Sequence, residues 1–166
     1  MRSLAVVFAA VFALTLAPGA SVAQTDTYLE LLRSDIKAET VAILTEVMEF
    51  SDEEGKAFWP IYRAYEVEGA KLGDRRVALL KDYAASFDNL SNEKAKELAN
   101  ASFKLQEDRI KLNKSYYKKV AKALDENTAA RFVQVMNQIN LLIDVQVAAG
   151  IPLIEKYTES VQEAAR

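Results

Sequence analysis

The sequence has no histidine and no cysteine, and these two absences exclude several kinds of site at once. Without them the chain cannot form a histidine-based catalytic triad, a cysteine nucleophile, a disulfide framework or a Cys/His zinc site. It has few glycines and prolines, and no glycine-rich phosphate loop. The net charge of −3 argues against general binding of nucleic acid. We therefore predict no catalytic residue, metal or cofactor, and expect a binding or structural protein that is not an enzyme.

The first 23 residues follow the pattern of a secretory signal peptide. Arg2 precedes an apolar run over residues 4–16, and small residues suited to cleavage end at Ala23. This run is too short to span a membrane. We expect export, most simply to a periplasm, with no integral membrane segment once the signal peptide is cleaved.

Apolar residues recur every three or four positions along most of the remaining chain, which is the period of an amphipathic helix. Ser51 with Glu54 forms a capping-box pattern, Ser91 and Asp125 are suitable caps for two later helices, and Gly150 suits a left-handed residue at a helix end. The sequence thus predicts an all-α fold, an elongated four-helix bundle built on a long antiparallel helical hairpin. The predicted helices span 34–49, 52–87, 92–124 and 126–149 in a single domain over 24–152, with arms at 24–33 and 153–166.

The last predicted helix is apolar around most of its circumference. A helix of this kind needs cover on several sides. Either it lies in the centre of the bundle, or a second copy of the chain covers it. We expect the second arrangement, and so predict a homodimer.

Two of the predicted helix starts share a short motif. FSDEE at residues 50–54 and LDENT at residues 124–128 each place an apolar residue before the cap, and a phenylalanine follows seven residues after the cap. Any well-capped amphipathic helix can carry this pattern. Together with the signal peptide, the chain length and four helices, it also resembles the LTxxQ-type helix starts of the Spy/CpxP family, over about residues 35–150. FSDEE has Glu where the family has Gln, and LDENT keeps neither the Thr nor the Gln.

The resemblance implies a small periplasmic all-α protein that forms a curved, interlocked dimer. Some members of that family are ATP-independent chaperones that hold unfolded envelope proteins, and others restrain a stress-sensing kinase.

Charge is distributed unevenly along the sequence. Residues 24–54 contain nine acids and two bases, whereas residues 104–122 contain seven bases and two acids. Both segments can be solvated helix faces, or the basic strip can attract acidic clients or anionic lipid. A third possibility is that the acidic first helix packs along this strip, within one chain or across a dimer. The candidate binding residues of the strip are Lys104, Lys111, Tyr117, Lys118 and Lys122.

A second candidate patch surrounds the only tryptophan of the chain. Phe58, Tyr62 and Tyr65 follow the core stripe of the second helix and are expected to pack inside. Trp59 lies one position off this stripe, so we expect it to be partly exposed. Arg63, four residues on, can cover its ring. Trp59 and Arg63 therefore join the candidate client-binding residues.

Arg76 and Arg109 occupy stripe positions in the two middle helices. A buried arginine needs a partner, and Asp108 or an acid of the first helix can serve. Alternatively, the stripe opens to water at this level. Three polar residues lie on one side of the last helix at spacings that suit hydrogen bonds between helices: Asn137, Asn140 and Asp144.

These observations favour an exported, ATP-independent holdase that binds unfolded envelope polypeptides. The alternative is a dedicated helical partner or regulator of one envelope protein, such as a stress-sensor domain, without general chaperone activity. Both hypotheses use the same surface residues, so breadth of binding is what separates them.

Overall fold

The computed structural model describes residues 22–154, and these residues form helices and no strand. Helix α1 spans Val22–Met48, α2 spans Asp52–Ser86, α3 spans Asn92–Ala123 and α4 spans Glu126–Ala149, with a short 3-10 turn at Phe87–Asn89. The predicted all-α fold is confirmed, and the predicted bounds of α2, α3 and α4 agree within one residue.

The first helix begins earlier than predicted. The segment 24–33, predicted as an arm, belongs to helix α1. The physical reason is that this segment contains no glycine or proline that would end a helix. The predicted signal peptide lies outside the described residues except for its last two, and the predicted arm 153–166 does so beyond Ile154.

Each of the three later helices begins at the cap that the sequence predicted. The Ser51 hydroxyl accepts from the Glu54 backbone N–H at 3.4 Å, and the Glu54 carboxylate accepts from the Ser51 N–H at 2.9 Å. The Ser91 hydroxyl accepts from the Lys94 N–H at 3.1 Å. The Asp125 carboxylate accepts from two backbone N–H groups, at 2.8 and 3.0 Å. These bonds satisfy donors that have no partner within the first turn of a helix.

The ends of α1 and α4 differ from the usual glycine pattern. Gly150, where we expected a left-handed residue, has a φ of −94° and donates its N–H to Val147 O at 3.1 Å. The left-handed residue is instead Glu49, with a φ of 50°, directly after α1. Beyond α4 the chain returns toward α2, where the Tyr83 hydroxyl donates to Pro152 O at 2.8 Å.

The chain divides into two compact units between Ile43 and Leu44, inside helix α1. The described part of the first unit is helical, and the Thr40 hydroxyl there donates to Ile36 O one turn earlier, at 2.8 Å. The second unit holds the end of α1 and all of α2, α3 and α4. The candidate binding residues all belong to this second unit.

Within the second unit, α3 packs against both α2 and α4. Tyr65 near the start of α2 bonds Asn113 in the later half of α3 at 3.0 Å, and Asp82 near the end of α2 pairs with Lys94 at the start of α3 at 2.8 Å. Asn113 also donates to Asn137 of α4 at 3.2 Å, so one level of α3 is bonded to both neighbouring helices.

The buried core is concentrated at one end of this unit, which we call the aromatic end. The Phe58 and Phe132 rings meet edge to face with centroids 5.4 Å apart, and Tyr65 meets Tyr116 in the same way at 5.3 Å. Such pairs add to the free energy gained by removing the rings from water. The buried apolar side chains of the aromatic end are Leu44, Met48, Phe58, Tyr62, Tyr65, Tyr116, Val120, Ala129, Phe132, Val135 and Met136.

The opposite end, which we call the outer end, comprises residues 69–86 of α2, 92–112 of α3 and 139–149 of α4. Among the described residues of this end, the buried apolar side chain is Leu98. Helix α4 does not lie in the centre of the described bundle, because Leu141, Leu142 and Val145 are more than half exposed. Of the two arrangements considered for this helix, the central one is therefore wrong.

Candidate functional site

Exposed aliphatic side chains form a row on α4 and the adjoining face of α3. Leu141 is 62% exposed, Leu142 53%, Val145 57% and Ile110 of α3 54%. They are exposed because α4 is apolar on nearly every side, while only the side that faces α3 and the aromatic end is covered. Apolar side chains grouped in this way are typical of a surface that binds another molecule.

A groove between α3 and α4 begins at this row and runs toward the aromatic end. It consists of two adjacent hollows of about 490 and 350 Å³, and Tyr117, Val133 and Asn137 line both of them. Lys114 and Lys118 line one side of the groove, and neither forms an ion pair with a residue that the structure describes. The α3–α4 groove therefore combines an apolar floor with uncompensated positive charge.

Tyr117, one of the predicted binding residues, is held in this groove by its hydroxyl. The hydroxyl donates to the Glu126 carboxylate at the start of α4, and this hydrogen bond raises the pKa of Tyr117. The ring is thereby fixed across the junction of the two helices. Lys118 lies beside it, and Lys122 is exposed one turn further on.

The other two predicted lysines of the basic strip lie nearer the start of α3 and contact a different group. Lys104 and Lys111 approach the Asp108 carboxylate at 2.9 and 3.7 Å, and Arg75 of α2 reaches the same carboxylate at 2.8 Å. The Lys104 ammonium and the Arg75 guanidinium lower the pKa of Asp108 to about 2. The sequence strip is thus divided into a set in the groove and a set that binds Asp108.

Arg76 and Arg109 share one carboxylate, that of Asp144 on α4. Arg76 Nη1 lies 2.5 Å from Asp144 Oδ1, and Arg109 Nη1 lies 2.9 Å from Oδ2. The partner is therefore neither Asp108 nor an acid of the first helix, the two choices considered from sequence. The three side chains are 28%, 35% and 33% exposed, so this level of the bundle is both paired and open to water.

Two polar residues of α4, Asn137 and Asp144, act as the sequence predicted. Asn137 accepts from the Asn113 side chain at 3.2 Å, and the Tyr65 hydroxyl of α2 donates to Asn113 at 3.0 Å. Burial raises the pKa of Tyr65, so its phenol remains a hydrogen-bond donor. Asn137 and Asp144 therefore bind α4 to its neighbours at two levels and fix its register.

Trp59 and Arg63 line a separate cleft of about 580 Å³ at the start of α2. Trp59 is partly exposed, as predicted, and its ring packs edge-on against Phe58 with centroids 5.3 Å apart. Among the described residues, the cation above an aromatic ring is Lys119 over Tyr116, at 3.8 Å, and Arg63 does not cover Trp59. The structure thus places the Trp59 cleft at the aromatic end and separates it from the residues of the α3–α4 groove.

The sequence interpretation missed the role of Asp144 and the exposure of Ile110 and Leu141. A signal for the first was present, because Arg109 and Asp144 lie at similar distances on either side of the break between the third and fourth helices. Residues placed in this way meet when two consecutive helices fold back on each other. For the exposure of Ile110 and Leu141 there was no comparable signal, because the sequence pattern does not distinguish a buried apolar side chain from an exposed one.

None of the helices described over residues 22–154 has the length and apolar character needed to cross a membrane. Comparison of the chain with protein-family models, with curated proteins and with solved structures gave no match.

Proposed function

We propose that this protein is an exported, ATP-independent holdase of the Spy/CpxP type that binds unfolded envelope polypeptides. In this proposal α2 and α3 form the antiparallel hairpin of a homodimer, and clients bind the exposed aliphatic row of α4 and the α3–α4 groove. Binding requires neither nucleotide nor metal. Export follows from the signal-peptide pattern of residues 1–23 and leads most simply to the periplasm.

The observation that carries the proposal is exposed apolar surface beside lysines with no described acidic partner. Burying a leucine side chain contributes about 1.5–3 kcal/mol, and neighbouring positive charge attracts clients over the screening length of the solution. The groove is open and its accessible surface is mostly apolar, with Val133 and the ring of Tyr117 shared by both hollows, while amide and lysine side chains lie along its sides. Such a surface suits many apolar segments better than one small molecule.

In the proposed dimer, the second chain covers part of the exposed apolar surface of α4. Leu142 and Val145 are exposed at positions one helical turn apart, so a second α4 or a client segment can cover them together. Light scattering on the purified chain measures the oligomeric state directly. A monomer at micromolar concentration would overturn the dimer and leave the client-binding surface to be tested on its own.

The test of the holdase is suppression of aggregation without ATP. Two unrelated denatured proteins are diluted into buffer with a stoichiometric amount of the purified chain, at low and at moderate salt, and turbidity is followed. We expect suppression of both clients. The Leu141→Gln, Leu142→Gln double variant should lose most of this effect, whereas Val67→Gln, which changes an equally exposed apolar residue of α2, should not.

Far-UV circular dichroism shows that each variant has folded before it is compared. Equal suppression by the wild type and the double variant would remove α4 from the client surface. A well-folded wild type that suppresses neither client would overturn general chaperoning and favour a dedicated helical partner of one envelope protein. Loss of suppression at moderate salt would assign part of the attraction to Lys114 and Lys118.

A further inference from the structure

The cluster of Arg76, Arg109 and Asp144 holds more positive than negative charge. Two guanidinium groups, from α2 and α3, share the one carboxylate of Asp144 on α4, which leaves one positive charge of the cluster uncompensated. An ion cluster that is buried usually approaches neutrality, because charge is costly to remove from water. Here about a third of each side chain is exposed, so a further anion has access from the solvent.

The two arginines also have hydrogen-bond donors to spare. Each guanidinium carries five N–H donors in a planar fork, yet the contacts with Asp144 involve only Nη1 of Arg76 and Nη1 of Arg109. The unused donors suit the paired oxygens of a second carboxylate, which arginine binds in a bidentate manner.

An exposed aliphatic side chain lies beside this charged centre on α4. Leu141 is one helical turn before Asp144 on the same face, and Leu142 and Val145 extend the exposed apolar surface around the helix from there. An arginine centre that a partner can cover with apolar contacts is the arrangement in which single side chains contribute most to protein binding. The surface therefore calls for a ligand that presents a carboxylate and an aliphatic group close together.

We propose that the Arg76–Arg109 pair is a carboxylate-binding site for peptide segments in which a glutamate or aspartate lies next to leucine, isoleucine or valine. This inference deepens the proposed function and rests on it, since it names the chemical class of segment that the α4 surface prefers. Charge complementarity selects the occupant. The two ion clusters of the outer end, on Asp144 and on Asp108, join five cations to two carboxylates, and Glu107 beside Lys104 adds one more acid.

The site is tested with three synthetic peptides, each acetylated, amidated and labelled with a fluorophore for anisotropy titration. The first carries one glutamate between leucines in a serine-rich sequence. The second has glutamine in place of the glutamate, and the third has serine in place of the leucines. We expect both altered peptides to bind about tenfold more weakly than the first. The second peptide loses the charge-assisted contact of the glutamate, and the third loses the apolar contacts of the leucines.

Two substitutions make the expected result specific to this cluster. Asp144→Asn removes the resident carboxylate that competes for the guanidinium groups, so binding of the glutamate peptide should become several-fold tighter while the glutamine peptide is unaffected. Arg109→Lys keeps the charge and loses the planar fork, so the preference for glutamate over glutamine should shrink. Lys96→Gln, at an exposed position of the same helix, is the control for loss of one positive charge.

If the cluster only holds the helices together, Asp144→Asn will weaken or leave unchanged the binding of the glutamate peptide, and this result overturns the proposal. Equal binding of the glutamate and glutamine peptides to the wild type overturns it as well. Full competition by inorganic phosphate at millimolar concentration, or by vesicles of anionic lipid with no effect of the leucines, would show a general anion or lipid site and contradict a peptide site.

Failure of the inference and failure of the holdase give different results. Suppression of aggregation without any preference for glutamate leaves the holdase and removes the carboxylate site. Specific binding of the glutamate peptide by a chain that suppresses no aggregation leaves the site and removes the holdase.

Discussion

The aromatic end and the outer end of the second unit are built from the same helices but are held together in different ways. At the aromatic end, Phe58 and Phe132 are fully buried in a cluster of rings. At the outer end, most apolar side chains of the same three helices are only partly buried, and ion pairs such as those of Arg76 and Arg109 with Asp144 join the helices. The difference teaches that most of the buried core lies at one end, while the other end leaves apolar surface exposed. Local opening should therefore require less free energy at the outer end.

The largest expected effect comes from truncating a core ring. Phe132→Ala should lower the free energy of unfolding by about 3–5 kcal/mol, because it removes a fully buried ring and leaves a cavity at the aromatic end. Phe103→Ala is the matched control, since Phe103 is 61% exposed at the outer end. Its effect should stay within about 0.5 kcal/mol. Chemical denaturation followed by circular dichroism measures both, and equal losses would abolish the contrast between the two ends.

A smaller effect is expected from the polar contacts of the outer end. Asp144→Asn leaves two guanidinium groups side by side without their carboxylate. Because these groups are about one-third exposed, water screens part of the repulsion, and the cost should be about 1 kcal/mol. Hydrogen exchange should accelerate in residues 139–149 and stay unchanged around Phe132. If hydrogen exchange accelerated equally along the whole of α4, the two ends would open together.

Glu49→Gly tests the link that leads into the aromatic end. Glu49 has a φ of 50°, a conformation that glycine adopts without steric strain. Part of this gain is offset by the greater freedom of glycine in the unfolded chain, so the variant should be more stable by about 0.5 kcal/mol. Glu49→Ala is the control, since alanine keeps the strain. A glycine variant that is less stable than the alanine variant would contradict this account.

The smallest effect should come from the exposed ion pairs on Asp108. Its pKa is lowered to about 2 by Lys104 and Arg75, whereas an unfolded aspartate titrates near 3.9. The contribution to stability is thus fully present above about pH 4 and is lost as the pH falls toward 2. Asp108→Asn should show less loss of stability than the wild type over this interval, measured by urea denaturation at each pH. If the variant and the wild type lose the same free energy of unfolding as the pH falls, other carboxylates cause the acid sensitivity.

Much of the fold could be predicted because helix caps and apolar periodicity are local. The Ser51–Glu54 capping box, Ser91 and Asp125 each mark a helix start that the structure confirms. The start of α1 was wrong because no residue in the segment 24–33 acts as a stop signal. Local patterns fix where helices begin and end when such residues are present, and they give little guidance when they are absent.

Less of the candidate site could be predicted, because its contacts depend on the register between helices. The sequence marks Arg76 and Arg109 as charged residues on an apolar stripe and Asp144 as a residue suited to hydrogen bonds between helices, but their pairing requires three helices to be aligned to within one turn. The division of the basic strip has the same origin. Lys104 and Lys118 lie on a similar face of α3, about four turns apart along its axis, and meet different neighbours.

Trp59 is the only tryptophan of the chain, and it lies at the aromatic end. Intrinsic fluorescence excited at the indole band therefore reports on one end of the second unit and is silent about the other, whereas far-UV circular dichroism averages over every helix. If the ellipticity falls at a lower temperature than the one at which the tryptophan emission shifts, the outer end unfolds before the aromatic end. Coincident curves would mean a single cooperative transition. The position of one side chain thus makes the native protein its own site-selective reporter.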